Sequence, residues 1–268
     1  RLSRKILDFV KNKIEKDDIK SLAIFDFSET LHNFLGGNWK SIKAYDQNLI
    51  DKNIDIGEIY WASQLLFWHG CPTIYQGQLN IQKQLVNQLE KTYEVFENDL
   101  SLLLKYLLNA ILLMKIRQPQ KALAEINKGV DFVQKKGQGQ SLFHMLSYKA
   151  RLHLLMGDII EAEKTIAQTD KIRLEVNTVP WQASNFHRVK SQYHLYLLEE
   201  ATHRSDKTAL VEHQKNARKF CKIFFKVSRK VAQHRIESNK QIGVYYWLVN
   251  KQKKALSWWS KSIEEGEH

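Results

Sequence analysis

Apolar residues recur along most of this chain at spacings of three and four, which place them on one face of an α-helix. Three prolines, Pro72, Pro119 and Pro180, fall between such runs and mark helix boundaries, with Pro119 and Pro180 suited to a first helical turn. Gly36-Gly37, Gly77, Gly137-Gln138-Gly139, Gly157-Asp158 and the polar stretch 202–207 supply further punctuation. The pattern predicts helices at 3–13, 18–35, 39–52, 56–70, 78–96, 99–117, 120–136, 141–156, 159–174, 181–201, 207–235, 238–250 and 252–266. Short links between them make consecutive helices antiparallel neighbours, so the predicted fold is all-α, an α-α superhelix of 12–13 helices stacked as hairpins.

A recurrence organises the hairpins. Ala110 with Ala122, Ala150 with Ala162, and Gly243 with Ala255 each place a small residue on one helix and an Ala twelve positions later on the next. Four residues beyond each second Ala stands a bulky side chain, Ile126, Ile166 or Trp259; three beyond that stands a small one, Gly129, Thr169 or Ser262. Helices crossing at about 8–10 Å need a small residue at the crossing and a large one in the adjacent groove. In 154–159, Gly157 can end one helix and Asp158 can cap the next.

These residues resemble the tetratricopeptide repeat, in which Leu-Gly and an aromatic on the first helix precede an Ala on the second. Ile242-Gly243 with Tyr246 and Ala255 matches best, then Tyr148 to Thr169, then Asn109 to Gly129. The departures are a missing Trp early in the first helix, with Asn239 and Leu146 in its place, and a missing closing Pro. The step of 40 residues from Ala110 to Ala150 also exceeds the usual ~34. Residues 1–97 read as degenerate hairpins, 98–175 as two clear repeats, 176–236 as irregular long helices and 237–268 as a last repeat, all in one domain. The long helices and the run of Tyr245-Tyr246-Trp247 followed by Trp258-Trp259 resemble the repeat region of large bacterial signalling proteins, in which such repeats accompany an ATPase and a nucleotide cyclase or kinase. That resemblance implies a segment that senses or relays while other domains of the same protein turn over substrate.

The balance of 41 Lys and Arg against 29 Asp and Glu gives a formal charge of +12, which favours acidic surfaces, nucleic acid or anionic lipid. Cys71 and Cys221 are too few for a disulfide framework, which points to a reducing, cytoplasmic setting. The most apolar stretch, Leu100 to Met114, is interrupted by Ser101, Lys105 and Asn109 and is shorter than a bilayer span of about 20 residues, so no membrane insertion is expected. The chain opens on Arg1 without an initiator Met or signal-peptide regions and is expected to be a piece of a longer protein. Aromatics crowd its end, and adjacent Trp258 and Trp259 are not expected to share one neighbour, which suggests a further repeat beyond them.

Chemistry-bearing motifs are sparse. His144 with His153, His187 with His194, and His69 beside Cys71 lack HExxH or zinc-finger spacing. No phosphate-cradling glycine loop or nucleophile elbow occurs, and acid pairs such as Glu264-Glu265 diverge by about 100° around a helix. The expectation is therefore no cofactor, no metal and no catalytic centre in these residues. By the tetratricopeptide resemblance, the binding groove would be lined by Leu107, Ile111 and Met114; by His144, Ser147, Arg151 and Leu155; and by Lys240, Val244 and Trp247, with Arg151, His144 and Lys240 as polar contacts to a protein or peptide. The strongest charge feature is the basic row Lys215, Arg218, Lys219, Lys222, Lys226, Arg229 and Lys230, backed by an apolar stripe of Phe220, Phe224, Val227 and Val231. That row is either a solvated helix face or a surface for nucleic acid or an acidic partner.

Overall fold

The computed structural model describes residues 2–267, and among them it contains helices and no strand. The helices are α1 (Leu2–Lys11), α2 (Ile19–Gly36), α3 (Gln47–Asp55), α4 (Ile59–Tyr75), α5 (Leu79–Phe96), α6 (Asp99–Lys115), α7 (Pro119–Lys135), α8 (Gly139–Met156), α9 (Ile159–Arg173), α10 (Pro180–Arg204), α11 (Lys207–Ser228), α12 (Ala232–Leu248) and α13 (Gln252–Glu267), with a 3-10 turn at Trp39–Ser41. The chain divides into two compact units, Arg1–Lys135 and Lys136–His268, where the sequence pattern suggested one repeat domain.

Each unit is a stack of helical hairpins. In the first, α4 packs against α2 and α6, while α5 lies against α4 and α6, and α7 against α6. In the second, α10 packs against α8 and α12, and α9, α11 and α13 form the companion layer. Side chains of Phe143, Ala150, Ile166, Phe186, Val189 and Tyr193 make one core of the second unit; Leu195, Leu198, Ala217, Cys221, Ile242 and Tyr245 make another. Fully burying such a side chain contributes roughly 1.5–3 kcal/mol, enough for a few layers of this kind to hold a stack together.

The small-residue pairs sit on helices in contact: Ala110 and Ala122 on α6 and α7, Ala150 and Ala162 on α8 and α9, Gly243 and Ala255 on α12 and α13. All five alanines are fully buried. At Gly243 a Cβ would lie 2.3 Å from Cδ1 and Nε1 of Trp259, so the bulky partner occupies the space the missing side chain leaves. Gly70, on α4, is used differently: its open side faces Leu108 of α6, whose Cδ2 would lie 2.6 Å from a Cβ.

Backbone geometry shows a repeat that composition conceals. Left-handed φ values fall at Gly37, Gly57, Gly77, Glu97, Arg117, Gly137 and Gly157, a step of twenty residues each time. Each step is one helix and its turn, and two steps make the 40-residue spacing between Ala110 and Ala150. Gly157 ends α8 with φ 77°, and the Asp158 carboxylate accepts the Glu161 N–H at 3.3 Å to start α9.

Four predicted helices differ from those found. Residues 42–46 are non-helical, and α3 starts only where Asp46 accepts the Leu49 N–H; the Trp39 ring is instead held edge-on to Phe34, 5.3 Å between centroids. Helix α4 passes through Pro72 to Tyr75 although the proline has no N–H for the Trp68 carbonyl; residues 69–74 are all buried, and that packing outweighs the loss, while Thr73 Oγ1 donates back to the Gly70 carbonyl. The segment 207–235 is two helices, broken after Ser228, where Val231 turns to φ −139° and is completely buried. Ser228 Oγ, 2.8 Å from Ser238 Oγ, ties the two sides of this break. In consequence α12 begins at Ala232, earlier than the expected 238. Trp258 and Trp259 find separate neighbours: Trp258 stands edge-on to Phe225 of α11, and Trp259 lies against Trp247 and donates to the Lys240 carbonyl at 3.2 Å.

Candidate functional site

Two surfaces of the second unit concentrate polar chemistry. The first lies along α8, α10 and α12. Ring contact of His144 with Trp181, 4.5 Å between centroids, joins α8 to α10. Ser184 Oγ lies 2.7 Å from His234 Nδ1, joining α10 to α12. An Arg188 guanidinium nitrogen stands 3.9 Å from the Glu237 carboxylate, and Gln241 donates to Glu237 at 3.3 Å and to the Arg188 carbonyl at 3.5 Å. Burial opposes ionisation of Glu237, but the charges of Arg188, Lys240 and Arg151 and the bond from Gln241 hold its carboxyl below the ordinary value. Arg151, Arg188 and Lys240 thus surround one acid.

Several buried polar atoms on these same helices keep unused hydrogen-bonding capacity. Asn185 shares a helical face with Trp181 and Arg188 and is 1% exposed, yet neither its amide nitrogen nor its oxygen meets a partner among the described residues. His144 Nε2, Gln241 Oε1 and Arg188 Nε are in the same condition. Burial also pushes the His144 imidazole down to about 3, and His234 well below its ordinary value with help from the charges of Arg188 and Arg151, so both rings are neutral.

Of the residues expected to line a groove, Arg151, Val244 and Met114 are half-buried, and Leu155, Lys240 and Trp247 are exposed. His144, Ser147, Leu107 and Ile111 are buried, which corrects their role as outward contacts. His144 is taken up by aromatic packing, Ser147 donates back to the Phe143 carbonyl at 2.8 Å, and Leu107 and Ile111 belong to the apolar interior of the first unit. Asn185 and Arg188 escaped the sequence pattern because α10 carries no in-frame repeat, and Glu237 because it precedes the matched positions of α12. The signal available was two polar residues, Asn185 and Arg188, spaced by three around the buried Phe186.

The second surface is the outer face of α11. Lys215, Arg218, Lys219, Lys222 and Lys226 are exposed on the helix, while Arg229 and Lys230 lie in the turn after Ser228 and not on the helix itself. Phe224 and Val231 are buried beneath them, and Phe220 stacks at 4.4 Å on His194 of α10, so the aromatic rings point inward. A cleft of about 410 Å³ is lined by Val211, Gln214, Lys215, Arg218, Lys219, Lys222 and, from α12, Tyr245. A neighbouring cleft of about 430 Å³ mixes Arg229, Arg235 and Lys261 with Glu264 and Glu265.

Among the described residues no group of three His, Cys, Asp or Glu is placed to hold a metal ion, and no helix is long and apolar enough to cross a membrane. Cys71 and Cys221 are buried thiols, both pushed up by burial, Cys221 to about 11. In the first unit His69 Nε2 lies 2.6 Å from Asp26, a pairing that orients a buried ring.

No family model matches the chain, and no curated protein matches it. Among solved structures the chain is similar to a human IFIT1 dimer solved with PPP-AAAA, at 14% identity over 99% of this chain and 68% of that one, with a TM-score of 0.40. A superposition this loose carries no information about a ligand.

Proposed function

We propose that this chain is a non-catalytic recognition segment, part of a signalling or regulatory protein, and that its second unit takes an extended peptide bearing an acidic group along α8, α10 and α12. The observation that supports this reading is Asn185. A buried amide left unpaired costs on the order of 1–3 kcal/mol, and a peptide backbone offers the donor and acceptor that would satisfy it. Arg188 and Lys240 both act on Glu237, and the exposed Lys240 offers its charge to a negatively charged group on the ligand. A change of rotamer at Arg188 or Lys240 would admit a ligand without moving the helices.

The test is Asn185→Leu, assayed by calorimetric titration against a library of nine-residue peptides with and without acidic side chains. Replacing an unpaired buried amide by an apolar group of similar size is expected to leave the thermal midpoint unchanged or raise it. Binding of the selected acidic peptides is expected to weaken at least about tenfold, or ~1.4 kcal/mol. A variant that loses stability yet binds as before would place Asn185 in the scaffold alone and overturn the reading.

A further inference from the structure

We infer that the outer face of α11 is a docking site for the phosphate backbone of a nucleic acid, separate from the peptide surface proposed above. Positions 215, 218, 219, 222 and 226 step by three, one, three and four, so their side chains form one stripe on the helix. At about 1.5 Å per residue the stripe runs roughly 16 Å, and Arg229 and Lys230 extend it into the following turn. All seven cations are exposed, and none pairs with a carboxylate among the described residues. Glu212, one turn before Lys215, is the acid on the same helix. Glu264 and Glu265 share their cleft with Arg235 and Lys261, and Arg235 is already paired with Glu265. From Arg218 onward the helix carries no acid, so the stripe keeps a large excess of positive charge.

Its shape selects among anions. A single phosphate would use two or three of these groups, whereas a stripe of about 16 Å matches about five nucleotide steps of one strand at roughly 3.4 Å each. Five of the seven are lysine, a residue depleted in protein–protein interfaces but suited to phosphate as a point charge. An interface for an acidic protein would also be expected to offer a buried apolar anchor. Here the rings of Phe220 and Phe224 point inward and Tyr245 is 6% exposed, which leaves Val211 as the large apolar side chain on the cleft. With no aromatic ring presented for base stacking, binding follows the backbone and is indifferent to base sequence.

Fluorescence anisotropy with labelled 20-mers of duplex DNA, duplex RNA and single-stranded RNA, from 50 to 200 mM salt, tests this. Each engaged phosphate contributes about −0.9 to the slope of log K against log salt on a duplex, so the full row is expected to give a slope near −6. The triple variant Lys215→Gln, Lys219→Gln, Lys222→Gln is expected to lower the slope's magnitude by about three and the affinity at 100 mM salt at least about tenfold. Lys→Arg at the same three positions keeps the charge and is expected to bind like the parent chain. Circular dichroism of both variants controls for folding, which exposed side chains should not disturb. Asn185→Leu is expected to leave this binding intact, so failure here is distinct from failure of the peptide reading. Equal binding by parent and triple variant, a flat salt response, or polyglutamate of matched charge binding as tightly as RNA would each overturn the inference.

Discussion

Lys105→Met is expected to destabilise the first unit by about 3 kcal/mol, read from the urea midpoint at neutral pH, while Lys105→Met combined with Glu125→Leu recovers most of that loss. Lys105 Nζ lies 2.9 Å from Glu90 and 3.4 Å from Glu125, and the Lys105 and Glu125 side chains are only 10% and 11% exposed. Removing one partner of such a pair strands the other charge, which costs more than the pair contributes when intact. Lys128, 2.8 Å from the other Glu125 oxygen, moderates the loss and keeps it at the lower end of the ~3–5 kcal/mol range. The acid dependence has a defined sign. Burial disfavours the Glu125 carboxylate, but hydrogen bonds from Lys128 and Asn109 and the charges of Lys105 and Lys128 outweigh it, so its folded value lies below 4.5. Its contribution is complete above pH 4.5 and disappears as the pH falls through that lower folded value. For Lys105 burial again opposes the charge, and the bonds and charges of Glu90 and Glu125 outweigh it, giving a folded value above 10.5. That contribution is complete below pH 10.5 and is lost as the pH rises through the raised value. A double variant with unchanged sensitivity to acid would remove Glu125 from the acid response.

Gly243→Ala should cost the second unit about 2 kcal/mol, an unusual result for a glycine inside a helix, where alanine ordinarily gains about 1 kcal/mol. The added methyl would lie 2.3 Å from the Trp259 ring, forcing the indole off the α12–α13 contact and away from its bond to the Lys240 carbonyl. Overfilling a packed contact costs about 1–3 kcal/mol or more, and here the rigid ring puts it near the top of that range. Gly70→Ala makes the control: its methyl meets the flexible end of Leu108, and a rotamer change of about 0.5–1.5 kcal/mol nearly cancels the helix gain. Paired thermal melts of the two variants decide the point, since equal shifts would mean that the Trp259 contact is unimportant. Trp259→Leu in the Gly243→Ala background should recover part of the loss.

These contrasts track how legible each feature was. The small–large pairs were readable because a crossing of two helices needs one residue type at one spacing, and Gly157-Asp158 was readable because both residues advertise a turn. The break after Ser228 was hidden: residues 224–235 keep an apolar spacing through it, and the turn is fixed by burial of Val231 and by the Ser228–Ser238 contact, both set by tertiary packing. Pro72 misled in the opposite direction, since the burial of residues 69–74 outweighs the backbone bond it forfeits, and that burial is set by tertiary packing. Arg151 and Lys240, singled out by repeat position, both act on Glu237, whereas Asn185 and Glu237 owe their surroundings to three helices distant in sequence. The twenty-residue step was only partly visible because Glu97 and Arg117 occupy left-handed positions that glycine marks elsewhere.

That even count governs how the chain tolerates changes in length. Taking out residues 58–97 removes forty positions and two full turns, so the next helix starts in its former direction with its apolar side still inward. Dropping twenty would send every later helix the wrong way, and dropping a single residue inside a helix would rotate the rest of that helix by about 100°. Shortening or extending this part of the protein is therefore best done by whole pairs, as rungs are taken from a ladder.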